Sequence, residues 1–204
     1  MDIIKTITGS TSYKGYTVQQ HENVFDIFKN FLSTIQPSRI LEIGTAGGGF
    51  TLFLRDVLDD LQLHTTPIRS FDVVETNWYR DLRRQNLEII IENCFNFAYN
   101  ELEKPELVVP YIQQAGTTLV LCDGGHKVGE FNALAPHLKV GDYIMAHDYV
   151  DTWENFKENF DNKIWNWCEV EEKYIENISK EYNLEHFNKE VFDSVVWVCK
   201  VKKV

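Results

Sequence analysis

The chain has 204 residues, of which 44% are hydrophobic and 13% aromatic, and its formal net charge is -11 at pH 7. This composition predicts one globular domain with a full core, and the acidic charge disfavours binding to nucleic acid through its phosphates. No apolar run approaches the roughly 18 residues of a membrane span, and the N-terminus lacks the basic flank of a signal peptide.

Apolar residues recur at helical or strand spacing along the chain. This spacing predicts helices over residues 18–35, 50–61, 78–86, 95–102, 106–114, 128–138, 153–164 and 174–187, and strands over residues 39–43, 68–73, 87–91, 117–122, 143–146, 165–170 and 194–200. Alternating strands and helices predict a doubly wound α/β fold, in which helices cover both faces of a parallel sheet.

Polar residues follow five of the predicted strands, at positions 42–49, 72–75, 92–94, 123–127 and 147–148. Ligands of doubly wound sheets bind beyond the carboxyl ends of the strands. We therefore expect the functional residues at these five places.

The first of these places is a glycine-rich turn, which lies within R-I-L-E-I-G-T-A-G-G-G-F-T-L-F-L at residues 39–54. Such a turn lets the backbone approach a ligand closely, and the helix that follows it presents unpaired N–H groups. A dinucleotide site needs G-x-G-x-x-G. Here the second glycine is missing, since Thr45 and Ala46 follow Gly44, and Glu42 would repel a pyrophosphate.

The pattern Glu42-x-Gly44-x-x-x-Gly48 resembles motif I of class I S-adenosylmethionine-dependent methyltransferases. This resemblance implies a Rossmann-like sheet of seven strands, mostly parallel with the last strand antiparallel. It also implies that Asp72 accepts hydrogen bonds from the ribose hydroxyls of the cofactor, with Glu75 as the rival acid. The cofactor-binding residues it implies are Glu42, Gly44, Thr45, Ala46, Gly48, Gly49, Asp72, Asn93 and Asp123.

Two later stretches, L-V-L-C-D-G-G-H-K and L-K-V-G-D-Y-I-M-A-H-D-Y, resemble small O-methyltransferases of the catechol and caffeoyl-CoA type. They are more similar still to the group of cephalosporin hydroxylases and macrolide-sugar O-methyltransferases. That group implies a divalent cation such as Mg²⁺ held by Asp123 and Asp148, with His147 at the third ligand position. Mg²⁺ prefers oxygen ligands, so a histidine there departs from the pattern.

The resemblance also implies that His126 is the general base and that Asp123 takes part in catalysis. Histidine titrates near neutral pH and can accept a hydroxyl proton. His147 is the second choice for the base, and Lys127 is expected to face solvent. Residues 16–20 are expected to lie over the cofactor, and Trp153, Trp165 and Trp167 either form the floor of the acceptor site or belong to the core.

The expected reaction is transfer of a methyl group from S-adenosylmethionine to a hydroxyl of a small molecule, of sugar or natural-product type, with assistance from a divalent metal left open. Two alternatives remain: a NAD-dependent enzyme on a similar fold, and a cofactor-binding protein without catalytic activity. Partners other than the small acceptor, whether nucleic acid or membrane, are not expected, and a homo-oligomer is left open.

The domain prediction is a single unit over residues 1–204, with a helical cap at 1–36 and a Rossmann-like core at 37–204. Cys94, Cys122, Cys168 and Cys199 have no metal-type spacing. They predict free thiols in a reducing, cytoplasmic setting.

Overall fold

A seven-stranded sheet forms the centre of the fold, and the structure, a computed structural model, describes residues 11–85 and 87–204. Residues 1–10 of the predicted cap, and Asn86 at the end of a predicted helix, lie outside the described residues.

The strands are β1 (Thr11–Tyr13), β2 (Tyr16–Val18), β3 (Arg39–Ile43), β4 (Ile68–Asp72), β5 (Glu88–Ile91), β6 (Thr118–Cys122), β7 (Tyr143–His147), β8 (Tyr149–Val150), β9 (Val170–Glu171), β10 (Leu184–His186) and β11 (Trp197–Lys202). The α-helices are α1 (Val24–Ile35), α2 (Gly49–Asp60), α3 (Tyr79–Arg83), α4 (Pro105–Gln113), α5 (Lys127–Leu134), α6 (Trp153–Asn155), α7 (Glu172–Glu181) and α8 (Lys189–Asp193). A π-helical turn over Phe156–Phe160 continues α6.

The strand order in the sheet is β10-β11-β7-β6-β3-β4-β5. Strands β3 to β7 pair in parallel, whereas β11 is antiparallel to β7 and β10 is antiparallel to β11. The predicted seven-stranded, mostly parallel sheet with an antiparallel last strand is confirmed. Because β3 and β6 are neighbours at the centre and the chain winds outward from them in both directions, their carboxyl ends form the topological switch point where ligands bind in such folds.

Helices cover both faces of the sheet, and the two central strands β3 and β6 bury all five of their residues. One apolar cluster packs α1 and α2 on the sheet and includes Phe28, Phe50 and Trp197. A second cluster on the opposite face includes Tyr111 and Phe131. Burial on both faces explains why these strands are continuous apolar runs.

The N-terminal region differs from the predicted helical cap. Its described part begins with the hairpin β1–β2, and the helix predicted from residue 18 begins at Val24. The Tyr13 hydroxyl donates a hydrogen bond of 2.7 Å to Asp56 of α2. The hairpin is thereby fixed beside the helix that follows the glycine-rich turn.

The helix predicted over 95–102 is wrong. This segment is a loop closed by an isolated bridge between Phe95 and Leu102. The Asn96 side chain accepts a hydrogen bond from the backbone N–H of Asn100 at 3.1 Å, and Tyr99 has a positive φ of 53°. Local side-chain bonds of this kind compete with helix formation.

The sixth strand also lies elsewhere than predicted. Residues 165–170 contribute only to the short ladder of β8 with β9, while β10 comes from the end of the predicted helix 174–187. The helix stops because Asn183 adopts a left-handed conformation, φ 53°, directly before β10. Asparagine tolerates this conformation better than most residues. The last strand is β11, three residues later than expected at its start.

Within residues 11–85 and 87–204, no helix combines the length and the apolar character needed to cross a membrane.

Candidate active site

The glycine-rich turn after β3 lies directly against the chain that leaves β6. Gly44 has a φ of +95°, and a Cβ atom there would lie 2.2 Å from the carbonyl oxygen of Asp123. The N–H of Asp123 in turn donates to the carbonyl of Ile43 at 2.9 Å. Only glycine permits this close approach of the two loops.

Glu42 lies beneath this turn and is 1% exposed. Its carboxylate accepts hydrogen bonds from Thr51 Oγ1 at 2.6 Å and from Ser70 Oγ at 2.5 Å, and Ser70 also contacts the Thr45 hydroxyl at 2.6 Å. Burial raises the pKa of Glu42 to about 7, although both hydroxyls lower it. The structure thus places Glu42 where it organises the turn, rather than in direct reach of a ligand.

Asp72, at the end of β4, holds the turn from its open side. Its Oδ2 accepts a hydrogen bond from the Ala46 N–H at 2.7 Å, and its Oδ1 accepts one from Val74 N–H at 3.0 Å. The rival acid Glu75 instead pairs with Arg83 at 2.8 Å on the surface. Position therefore favours Asp72 over Glu75 as a ligand-binding carboxylate.

Two adjoining cavities open at the carboxyl ends of the strands. We call them the β4 cavity, of about 330 Å³, and the β7 cavity, of about 350 Å³. The β4 cavity is lined by Phe71, Asp72, Asn93, Cys94, Phe95 and Glu130 among others, and the β7 cavity by Gln20, Lys127, His147, Asp148, Trp165 and Trp167 among others. The residues that border both cavities are Gln19, Gly44, Ala46, Asp123 and Gly124. Both volumes are in the range of small-molecule sites.

Asp123 lies where the two cavities meet, and its carboxylate forms hydrogen bonds with two side chains. Its Oδ1 is 3.0 Å from His147 Nδ1, and its Oδ2 accepts a hydrogen bond from Gln20 Nε2 at 2.6 Å. Gln20 is fixed in turn, because Trp197 Nε1 donates to its Oε1 at 2.8 Å. The His147 ring is buried and stacks on Trp197 with ring centres 5.0 Å apart. Burial lowers the pKa of His147, but Asp148 and Asp123 outweigh this and raise it above its usual value.

Asp148, the second predicted metal ligand, is also fully engaged. Trp165 Nε1 donates to its Oδ1 at 2.6 Å, and Lys127 Nζ lies 2.9 Å from its Oδ2. Asp148 has a φ of +58°, which turns the chain sharply after β7. The sequence left open whether Trp165 belongs to the acceptor site or to the core; in the structure its side chain lines the β7 cavity and also packs in a buried apolar cluster with Phe156.

Lys127 does not face solvent as predicted. Its ammonium group is buried and reaches the Gly124 carbonyl at 3.0 Å and Glu169 Oε2 at 3.1 Å, in addition to Asp148. Burial lowers the pKa of Lys127, but the carboxylates of Asp148, Asp123 and Glu169 raise it well above its usual value. Lys127 therefore carries its positive charge and is not a base.

His126, the predicted base, lies at the start of helix α5. The residue is exposed and caps helix α5, where its Nδ1 accepts a hydrogen bond from Gly129 N–H at 3.1 Å. Its ring stacks on Tyr99 with centres 5.3 Å apart. The described residues that line the two cavities do not include His126. The role of His126 as base stays a prediction, and the helix cap and the stacking on Tyr99 are the observations that weigh against it.

The structure brings most of the predicted site residues together. Those lining one or both cavities are Gly44, Thr45, Ala46, Asp72, Asn93, Asp123, His147 and Asp148. Gly48 and Gly49 lie in tightly packed positions, since a Cβ atom at Gly48 would lie 2.1 Å from Leu82 and one at Gly49 would lie 2.5 Å from Val18, and their role in cofactor binding stays a prediction. Over the described ranges, no group of three or more His, Cys, Asp or Glu side chains is arranged to hold a metal ion.

Sequence reasoning missed the contribution of Gln20, Lys127 and Glu169. Gln20 was included only as part of the segment 16–20 expected over the cofactor, and the structure does place Thr17 to Gln20 along the β7 cavity. No sequence pattern connects Glu169 with Lys127, because the two residues are 42 positions apart. Their contact forms only when the loop before β9 folds back towards the end of β6.

Comparisons with known proteins agree with this architecture. A family model described as rhamnosyl O-methyltransferase/CmcI matches residues 5–198. No curated protein sequence matches the chain.

Three solved structures share the fold at low sequence identity. An apo structure of CmcI is 13% identical with a TM-score of 0.63, covering 95% of this chain and 76% of that one. The O-methyltransferase TomG from Streptomyces achromogenes, in complex with SAM, is 10% identical with a TM-score of 0.50, covering 94% and 83%. MycE methyltransferase in complex with Mg, SAH and mycinamycin VI is 16% identical with a TM-score of 0.51, covering 87% and 49%.

These structures confirm the fold, and the family model covers nearly all of the chain. The resemblance drawn from the glycine-rich turn and from the residues after β6 and β7 is thereby confirmed, and so is the expectation of an S-adenosylmethionine-dependent O-methyltransferase. The chain belongs to the rhamnosyl O-methyltransferase/CmcI family.

Proposed function

We propose that the cofactor binds in the β4 cavity, that the acceptor hydroxyl binds in the β7 cavity, and that Asp123 receives the hydroxyl proton between them. The observation that carries this proposal is the position of Asp123, which borders both cavities and is bonded to a histidine.

The residues of the β4 cavity fit S-adenosylmethionine. Asp72 can accept further hydrogen bonds from a vicinal diol, because each carboxylate oxygen has a second lone pair. Phe71 and Phe95 provide apolar surface for a planar base. The charged residues that line this cavity are all acids: Asp72, Glu92, Asp123 and Glu130. Bound there, S-adenosylmethionine supplies an electrophilic methyl group on a positively charged sulfur.

The same charges argue against a NAD-dependent enzyme. A dinucleotide brings a pyrophosphate, which needs helix N–H groups or basic side chains. An acid-lined cavity disfavours a pyrophosphate and favours a cofactor with sulfonium and ammonium groups. Electrostatics therefore separate the two cofactors on a shared fold.

The chain's own contribution to the reaction is to orient the acceptor and to remove its proton. A hydroxyl group in the β7 cavity can donate to the Asp123 carboxylate, which takes its proton, while the N–H at His147 Nδ1, 3.0 Å away, donates to the same carboxylate and orients it. Gln20 holds the carboxylate in place from its other oxygen. Orientation of the attacking oxygen contributes more than proton transfer in such reactions.

The acceptor we propose is a sugar or natural-product hydroxyl. Trp165 and Trp167 line the β7 cavity and offer flat apolar surface to a ring. One structural neighbour was solved with mycinamycin VI, which supports an acceptor of this class. We also propose, from the sequence, that residues 1–204 form a single domain and that the protein acts in the cytoplasm. The cysteines of the described residues are all free thiols, which agrees with a reducing setting.

The test is a pair of measurements on the purified chain. We expect calorimetry to detect S-adenosylhomocysteine binding and no NAD binding. We expect Asp123→Asn to lower methyl transfer to a hydroxyl acceptor by roughly 10²–10⁴-fold, since the amide cannot take the proton. Preferential NAD binding, or unchanged turnover in Asp123→Asn, would contradict the proposal.

A further inference from the structure

We propose that the ammonium group of Lys127 takes the place of a divalent cation between the acids of this active site, so that the chain binds no metal there and methylates without one. The second clause rests on the proposed function, whereas the absence of a metal site can be tested independently.

The carboxylates expected to hold a cation already have donors at every oxygen. Asp123 contacts His147 and Gln20, and Asp148 contacts Trp165 and Lys127, at distances from 2.6 to 3.0 Å. A cation bound to Asp148 at about 2.0–2.6 Å would compete for space with the Lys127 ammonium, which lies 2.9 Å from Oδ2 of that acid. Its arrival would also bring a double positive charge next to a buried ammonium.

Lys127 is held as a bound cation would be held. Its side chain is 9% exposed, and its Nζ contacts Asp148, Glu169 and the Gly124 carbonyl at 2.9 to 3.1 Å. An ammonium group has three N–H donors, so all three are used. Because its partners come from the ends of β6 and β7 and from the loop before β9, the ammonium joins the segments that line the β7 cavity.

A simpler interpretation is that Lys127 forms an ordinary buried ion pair that only stabilises the fold. The two interpretations differ when the charge is removed. An ordinary pair leaves a destabilised protein with no new ligand. A lysine that replaces a metal leaves Asp148, Glu169 and the Gly124 carbonyl around the space of the missing ammonium, which a divalent cation can then enter.

The experiment is titration with Mn²⁺, followed by calorimetry and by the electron paramagnetic resonance of free Mn²⁺. We expect no saturable Mn²⁺ binding to the unchanged chain. Lys127→Met should bind Mn²⁺ saturably, with a dissociation constant at least about tenfold below the highest Mn²⁺ concentration at which the unchanged chain shows no binding. Asp148→Asn in the Lys127→Met background should abolish the new binding. Lys139→Met is the matched control, because Lys139 also pairs with a buried acid, Asp142, at 2.7 Å. This pair lies at the amino end of β7, and neither residue lines a cavity.

Saturable Mn²⁺ binding to the unchanged chain that Asp148→Asn removes would overturn the proposal, and so would a folded Lys127→Met variant that binds no Mn²⁺. Should Lys127→Met fail to fold, Lys127→Gln takes its place, and the titration of the unchanged chain still decides. Methyl transfer should survive dialysis against a chelator; a loss that Mg²⁺ restores would also overturn it. Binding of S-adenosylhomocysteine without metal reports on the proposed function separately.

Discussion

Individual carboxylates in this site have distinct roles that their surroundings assign. Glu42 is buried under the glycine-rich turn, Asp72 braces that turn from its open side, and Asp123 connects two cavities. The sequence predicted all three as site residues from their position after strands. It could not separate their roles, because burial and bonding depend on side chains from distant strands, such as Ser70 and His147.

The first residue-scale prediction concerns Asp72. We expect Asp72→Asn to weaken binding of S-adenosylhomocysteine by roughly 1–3 kcal/mol, the usual cost of losing a charged hydrogen-bond partner. Glu75→Gln is the control, since Glu75 pairs with Arg83 outside both cavities and should leave the affinity unchanged. Calorimetry on both variants decides, and equal losses would mean that the two acids act through the surface charge alone.

A second residue-scale prediction separates the two histidines. His147→Phe keeps the ring stacked on Trp197 but removes the N–H that orients the Asp123 carboxylate, so turnover should fall by an amount equivalent to roughly 1–3 kcal/mol. His126→Ala should keep near-normal turnover and lose roughly 0.5–2 kcal/mol of stability with its helix cap. Steady-state kinetics and thermal unfolding measure these effects. The opposite pattern would return the role of base to His126.

At the scale of elements, the order of strands and helices in the sheet was predictable, but its outer strand was not. Strands β3 and β6 are long apolar runs because both of their faces are buried, and such runs are visible in a sequence. Strand β10 has three residues at the edge of the sheet and depends on a left-handed Asn183 that ends α7. The hairpin β1–β2 is equally short, so neither carries a periodic signal.

The hairpin supports the glycine-rich turn, and this leads to an element-scale prediction. A Cβ atom at Gly47 would lie 2.7 Å from the carbonyl oxygen of Thr17 in β2. We expect Gly47→Ala to push the hairpin from the turn and to lower both the unfolding temperature and the affinity for S-adenosylhomocysteine. Gly125→Ala is the stability control, because a Cβ atom there meets no atom within 4 Å. Equal unfolding temperatures in the two variants would show that the hairpin does not brace the turn.

At the scale of the whole molecule, acids that are buried near the switch point destabilise the folded chain when they are ionised. Glu42 and Glu130 are almost completely buried close to the strand ends, and burial raises the pKa of each to about 7. The sequence shows a net charge of -11, but not which acids lie inside. That distribution follows from the meeting of β3, β4 and β6 at one edge of the sheet.

These buried acids predict how stability depends on pH. The pKa of Glu42 is higher in the folded chain, about 7, than its ordinary value of 4.5, so the folded state binds the proton more tightly. Between these values the folded chain holds more protons than the unfolded chain, and stability must fall as pH rises from about 4.5 to about 7. Glu42→Gln keeps an oxygen for Thr51 and Ser70 but removes the titration. We expect the loss of unfolding free energy between pH 5 and pH 8 to be smaller in this variant by roughly 2 kcal/mol, measured by urea unfolding. The control is Glu154→Gln, because Glu154 is exposed and its replacement should leave the pH dependence unchanged. If all three proteins show the same pH dependence of unfolding free energy, the pKa of Glu42 does not differ between the folded and the unfolded chain.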